Sequence, residues 1–291
     1  MKPDDPKLTS ENELLTNIDP AEFDQFRNLL ETASGIHLPT SKQYLVATRL
    51  RRIMHDHSFG TLRQLIDNLK QSGPTGLKAQ VVEAMTTNET FWFRDSYPFH
   101  YLSNELLPQW LSKPLNQRIR VWCAACSSGQ EPYSLAMIAA EYARKHSLAA
   151  PPIEIMATDI SEAMLTRCRS GIYDHLELTR GLSNTLLTRY FDDVGEGSWQ
   201  VKDALRKQIN FRRLNLVESF SSFGRFDIVF CRNVLIYFSA DLKTDILARI
   251  HQQLQPEGVL FLGASEGLGN ASSLFSMVQC NPGIAYRSVQ K

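Results

Sequence analysis

From Asn88 onward, strand-like runs alternate with helical ones, and no other feature restricts the fold of this chain as much. The strand-like runs cover 118–125, 153–159, 209–214, 226–231 and 259–263, and the helical patterns cover 131–145, 162–169 and 242–254. A strand followed by a helix can pair in parallel with the next strand only if the helix crosses one face of the sheet. The alternation therefore predicts an α/β domain, a doubly wound parallel sheet with helices on both faces. The last stretch, 275–279, Asn281-Pro282-Gly283 and 284–289, reads as an antiparallel hairpin. Between 171 and 208 the alternation breaks. A short helical run at 183–190, a Gly-rich turn at 194–198 and a strand-like 199–201 predict a small β-subdomain inserted in the larger one.

Upstream of Asn88 the pattern is helical throughout. Phe23, Phe26, Leu29 and Leu30 form one apolar stripe, and Leu45, Leu50, Ile53 and Met54 a second. Leu62, Leu65, Ile66 and Leu69 form a third, and Leu77, Val81, Val82 and Met85 a fourth. The expected divisions are a disordered tail at 1–17, an all-α N-terminal helical bundle at 18–86 and a linker at 87–117 that contributes to the active site. The α/β domain then occupies 118–291, with the insertion at about 171–208.

The charge balance, 31 basic against 31 acidic residues, gives no support for generic nucleic-acid binding. The polar, acidic start is unlike a signal peptide, and no run is long and apolar enough to span a bilayer. A cytoplasmic protein without membrane insertion is expected, and five cysteines fit reduced thiols. Cys123 and Cys126 form a C-x-x-C, but no second pair completes a ligand set, so no metal site is expected.

The candidate chemistry starts at RIRVWCAACSSGQEPYS, 118–134, a buried strand, a small-residue turn and a helix start. Such a turn lets a ligand approach the backbone. Ser127 or Ser128 is the expected helix cap, with Pro132 in the first turn. The turn departs from G-x-G-x-x-G, and Glu131 would repel a phosphate. Asp159, ending the second strand, is placed to hold a ribose diol. A ribose-bearing, cationic ligand without phosphates fits both, and S-adenosylmethionine is such a ligand. Arg232 and Asn233 fall at the carboxyl end of the fourth strand, where open α/β sheets bind ligands. Tyr237 either points its hydroxyl at the reacting centre or packs as a half-buried tyrosine. The stretch TTNETFWFRD, 86–95, offers Asn88, Thr90 and Arg94 as ligand contacts and Phe91, Trp92 and Phe93 as walls, or else as interdomain packing.

Taken in order, TTNETFWFRD, CAACSSGQEPYSLA, ATDIS, Asn215-Leu216 and FDIVFCRNVLIYF resemble the chemotaxis receptor glutamate O-methyltransferases, the CheR family. One departure is the alanine-rich CAAC turn, where a glycine beside the cysteine is expected. The resemblance implies a Rossmann-like S-adenosylmethionine-dependent methyltransferase domain with an inserted β-subdomain behind a helical domain. It implies S-adenosylmethionine as cofactor, S-adenosylhomocysteine as product, and chemoreceptor cytoplasmic domains as partners; a monomer is expected, though the sequence itself does not fix the oligomeric state. Carried over by motif, Asn88, Thr90, Arg94, Glu131, Asp159, Asn215, Leu216, Arg232 and Asn233 would contact the cofactor. Arg94 and Tyr237 would lie nearest the transferred methyl. The reaction implied is transfer of a methyl group to a receptor glutamate, giving the γ-methyl ester.

Arg49 and Arg52 lie three apart on the second helix and so share a face, either as a basic strip that steers the receptor or as a solvated surface. Some members of the family the chain resembles dock a peptide from the receptor's carboxyl terminus on the inserted subdomain; beside them the Asp192–Ser198 turn is short, so the resemblance favours a form that needs no such tether. The competing readings are a non-catalytic S-adenosylmethionine sensor or scaffold, and a methyltransferase of another signalling substrate.

Overall fold

A computed structural model describes residues 18–73, 75–112 and 118–289, and the tail expected at 1–17 lies outside them. The chain divides into two compact units. The first holds the residues up to Thr87 together with Tyr237–Ser239, and the second holds Asn88–Ile236 and the chain from Ala240.

The first unit is helical: α1 Pro20–Ser34, α2 Gln43–Asp56, α3 Leu62–Gln71 and α4 Leu77–Met85. Local chemistry sets the ends. The Asp19 carboxylate accepts from the backbone N–H groups of Ala21 and Glu22, and Gly35 closes α1 in the left-handed region at φ 79°. Thr61 and Gln64 form a reciprocal capping box at the start of α3, an arrangement worth about 1 kcal/mol. Phe26, Val46, Leu50, Leu65 and Ile66 are fully buried. Val46 rather than the expected Leu45 lies on the core face of α2, which begins after a 3₁₀ turn at Thr40–Lys42.

The second unit is built on a seven-stranded sheet. Its strands are β1 Ile119–Cys123, β2 Ile153–Asp159, β6 Ile209–Arg213, β7 Phe226–Phe230, β8 Leu254–Phe261, β9 Phe275–Gln279 and β10 Ile284–Ser288. The order is β6-β2-β1-β7-β8-β10-β9, with β6 to β8 parallel and the β9–β10 hairpin antiparallel. Strand β1 therefore lies between β2 and β7, and the winding reverses there. The loops leaving the carboxyl ends of β1 and β7 flank that switch point, the place where such sheets form a ligand crevice. Helices α7 Gln130–Lys145, α8 Glu162–Ser170 and α9 Ala240–Gln253 are crossovers. The insertion is a separate antiparallel sheet, β3 Ile172–Asp174, β5 Ser198–Val201 and β4 Phe191–Gly195. Most of the expected turn at 192–198 is strand. Only Glu196-Gly197 turns, at φ 51° and 73°, the positive angles a tight hairpin needs.

The segment expected as a linker, 87–117, is more than a connection. It carries α5 Tyr97–Tyr101, a π-helical stretch Leu102–Leu106 and α6 Leu107–Leu111. Phe99 packs on Phe230 and Tyr101 on Phe261, so this run covers the centre of the sheet.

Candidate active site

The turn after β1 is pinned by four residues from other segments. The Ser127 backbone N–H donates to Asp159 Oδ2 at 2.7 Å, and its hydroxyl donates to the carbonyl of Asn88 at 2.8 Å. The Tyr173 hydroxyl donates to the Ser128 carbonyl at 2.6 Å, and the Cys168 thiol donates to the Ser127 carbonyl at 3.1 Å. Ser127 itself has φ 49°. Neither Ser127 nor Ser128 caps α7. Gly129 is the N-cap, because Ser127 is committed to joining Asn88 and Asp159. Gly129 has φ 98°, and a Cβ there would lie 2.9 Å from the Tyr173 hydroxyl and 3.0 Å from Cys168 Sγ. Its open face is filled by protein, not left for a ligand. Burial pushes the thiols of Cys123 and Cys126 well above the ordinary value, which makes both inert. Among the described residues no group of metal-ligating side chains forms.

Glu131, in the first turn of α7, is met by a cation. Arg232 Nη1 donates to its Oε2 at 2.7 Å, while Nη2 donates to Asp95 Oδ2 at 2.6 Å and to the Arg94 carbonyl at 2.8 Å. The Arg232 side chain is 2% exposed, Glu131 13% and Asp95 28%. Burial raises the Glu131 carboxyl, and the guanidinium beside it pulls the value part of the way back. Burial alone would lower Arg232, but Glu131 and Asp95 outweigh it and hold the guanidinium above its usual value. One cation between two carboxylates leaves this cluster net negative. Arg232 Nε is buried and has no hydrogen-bond partner among the described residues, which leaves one donor of the guanidinium unused by the cluster.

Asp159 is held by the N–H groups of Ser127 and, at 3.0 Å, Ser161, so its carboxylate is oriented before any ligand arrives. Leu214 N–H donates to the Asp159 carbonyl, which brings the buried Asn215 and Leu216 to the same strand end. Asn233 follows Arg232 in a left-handed conformation, φ 58°. Thr90 is half-buried. Arg94 lies with its guanidinium 5.4 Å from the Phe91 ring centre and donates to the Glu89 carbonyl at 3.0 Å. Among the described residues it has no carboxylate within ion-pair range. Arg180 also packs on Phe91 and pairs with the Glu89 carboxylate at 3.2 Å.

Three expected residues lie in the first unit. Tyr237 belongs there, its carbonyl accepting from His37 N–H at 2.7 Å. Arg49 donates to the carbonyls of Met85 and Thr86 at 2.7 and 3.0 Å and to Thr87 Oγ1 at 2.8 Å, closing the end of α4. Arg52 is 92% exposed and 3.6 Å from Asp56.

Residues 21–86 match the CheR methyltransferase all-alpha domain, and residues 88–284 match the CheR methyltransferase SAM-binding domain. A chemotaxis protein methyltransferase, Cher2, from Pseudomonas putida is 51% identical over 268 residues, 92% of this chain and 98% of that protein. Chemotaxis protein methyltransferase 1 from Vibrio cholerae is 48% identical over 93% of this chain and 98% of its own length. The chain belongs to the CheR methyltransferase family. Among solved structures, the N-methyltransferase NodS from Bradyrhizobium japonicum, in complex with S-adenosylhomocysteine, aligns over 72% of this chain and 95% of its own. Its TM-score is 0.39, at 14% identity.

This CheR-family chain is a methyltransferase that uses S-adenosylmethionine. The donor set fits such a cofactor. The Arg232 cluster is net negative, Asp159 adds a second oriented carboxylate, and a cationic ligand is favoured over a phosphate beside them. Three contributors were not singled out from sequence: Ser127 as a junction, Asp95 and Arg180. Ser127 and Asp95 are defined by partners distant in the chain. A single sequence carries no signal for them beyond the presence of Asp95 in TTNETFWFRD and Ser127 in the turn.

Proposed function

We propose that this enzyme methylates the γ-carboxylate of glutamates on chemoreceptor cytoplasmic helices, in the cytoplasm, giving glutamate methyl esters. The observation that carries the reading is Arg94. It is a cation held in place by an aromatic face and a backbone carbonyl, with no carboxylate within ion-pair range among the described residues, although it lies near enough to Glu131 to help lower that carboxyl. Its own carbonyl is tied to the buried Arg232 cluster, so it is anchored where an incoming carboxylate can be oriented. The names of the relatives, chemotaxis protein methyltransferases, support the choice of substrate.

When bound, S-adenosylmethionine supplies a methyl group on a sulfonium, whose departing thioether is neutral. A glutamate with an ordinary pKa of about 4.3 is already ionised at neutral pH, so no residue needs to move a proton. The work left to this chain is binding, alignment and exclusion of water. Asp159 would hold the ribose. Asn88, Thr90, Glu131, Asn215, Leu216, Arg232 and Asn233 would line the rest of the cofactor site. Arg94 orients the carboxylate without clamping it, since tight pairing would stabilise the ground state and blunt the nucleophile. Tyr237, just downstream of Asn233 in sequence, is assigned to the same carboxylate on its sequence position. Receptor recognition by the helical unit rests on the exposed Arg52, because Arg49 is engaged with the end of α4.

The test is transfer of radiolabelled methyl groups to receptor cytoplasmic fragments, with release by base as the signature of an ester. In Arg94→Ala, turnover at saturating cofactor should fall about 100-fold, a loss of about 2.7 kcal/mol of transition-state stabilisation, with S-adenosylhomocysteine affinity measured separately to set apart the cofactor contact expected of the same residue. Base-stable label, or wild-type turnover in the variant, would overturn the reading.

A further inference from the structure

The loop after β7 carries Arg232 and Asn233, yet short loops leaving a sheet are not stiff by themselves. What holds this one is a carboxylate from the next strand's loop. Glu266, just beyond β8, accepts three backbone N–H groups. Asn233 N and Gly263 N reach Oε2 at 2.7 Å each, and Ile236 N reaches Oε1 at 3.2 Å. The residue is 9% exposed. Two of the three donors flank the turn of the β7 loop, and the third anchors the carboxylate to its own strand end. The bond to Gly263 is local, but those to Asn233 and Ile236 cross between loops that neighbouring parallel strands bring together.

Gly263 completes the arrangement. A Cβ at this position would lie 2.5 Å from Asn233 Nδ2, 2.7 Å from Glu266 Oε2 and 2.9 Å from Asn233 N. No φ in the left-handed region requires glycine here. The requirement is space, because the Asn233 amide and the Glu266 carboxylate both rest against the bare backbone. Asn233 itself adopts φ 58°, a conformation that favours glycine and that asparagine tolerates better than most residues. Its backbone N–H donates to the carboxylate in that conformation, and its side-chain amide lies on Gly263. Backbone and side chain are thus both located by the Gly263–Glu266 loop.

We propose that Glu266 is a positioning residue for methyl transfer, acting through Asn233, with Gly263 as the surface against which the Asn233 amide is set. The inference rests on the assignment of Asn233 to the cofactor site made above. Glu266 does not touch the reacting atoms. Its carboxylate accepts at both oxygens, which matches three converging N–H groups. A carboxamide in the same place would turn an N–H₂ toward at least one of those donors. Glu266→Gln therefore keeps the size of the side chain and removes its ability to gather the loop.

The test is a double-mutant cycle on the full-length protein with S-adenosylhomocysteine affinity as the readout, measured by calorimetry on wild type, Glu266→Gln, Asn233→Ala and the double variant. Glu266→Gln should weaken binding about 10-fold. Added to Asn233→Ala it should weaken binding less than threefold further, since the residue it positions has gone. Losses that multiply in the double variant, or unchanged affinity in Glu266→Gln, would overturn the proposal, because a merely structural brace would act independently of the Asn233 side chain. Should Glu266→Gln fail to fold, Glu266→Asp takes its place in the same cycle, with the charge kept and the reach shortened. Because the readout is cofactor affinity, failure of receptor methylation by the wild type would refute the receptor reading and leave the cycle intact. An Asn233→Ala variant with wild-type affinity would instead refute the site assignment.

Discussion

Arg232→Met isolates the electrostatics of the site. Methionine keeps much of the length of the side chain and removes the guanidinium, which strands Glu131 at 13% exposure and Asp95 at 28%. Each ion pair, with its charge centres about 4 Å apart, is worth about 4 kcal/mol at an effective dielectric constant of about 20. Desolvation of the guanidinium offsets part of that sum in the wild type. Removing one partner of a buried pair leaves no such offset and typically costs about 3–5 kcal/mol. Asp95 can turn to water, so most of the loss falls on Glu131. The Arg94 carbonyl also loses its charged donor. Urea unfolding followed by tryptophan fluorescence reports the effect cleanly, because all four tryptophans, Trp92, Trp110, Trp122 and Trp199, lie in the second unit. The sign of the pH dependence follows from the same geometry. Burial already holds the Glu131 carboxyl above its ordinary value, and without the cation that most opposes burial its folded-state pKa rises further above the unfolded value. The native state then binds the extra proton, and the variant should lose stability relative to wild type as pH rises from about 5 to 8. Glu131→Gln in the same background removes the stranded charge and should recover about 1–3 kcal/mol. An unchanged unfolding midpoint in Arg232→Met, or no recovery in the double variant, would refute the account.

Other substitutions separate roles that share a motif. Arg49→Ala should destabilise the helical unit by about 1.5–3 kcal/mol through the freed carbonyls at the end of α4, seen as an earlier far-ultraviolet melting transition. Arg52→Glu should leave melting unchanged and raise the Michaelis constant for receptor, most strongly at low salt. Gly129→Ala combines φ 98° with contacts at 2.9 and 3.0 Å and should destabilise the second unit by about 2–4 kcal/mol, measured by the same fluorescence assay. Glu141 shows a different pH effect. Burial would raise its carboxyl, but hydrogen bonds from Arg144, Tyr190 and Arg189 outweigh burial and bring it from 4.5 to about 2. Its contribution is complete above the unfolded value and fades as pH falls toward 2, so a Glu141→Gln variant should differ from wild type in melting temperature at pH 6 and converge with it near pH 2.

Short-range chemistry made much of this protein legible in its sequence. The apolar stripes of the first unit, the alternation after Asn88, the closing hairpin and the insertion are all periodicities of 3.6 or 2 interrupted by turn residues. The motif residues Asn88, Arg94, Glu131, Asp159, Arg232 and Asn233 stand out because their types are unusual beside buried strands. Tertiary structure decided what those residues do to one another. It turned Glu131 from a lone carboxylate into one side of the Arg232 cluster. It took Ser127 from the helix cap and made it the junction of Asn88 and Asp159, and it filled the open face of Gly129 with Tyr173 and Cys168. It committed Arg49 to the end of a helix, while Glu266 gained its meaning from two strand ends meeting. Periodicity is a property of neighbours along the chain, and composition and order can carry it. Hydrogen-bond partners and burial depend on which distant segments the parallel sheet brings side by side, and that is settled when the chain has folded.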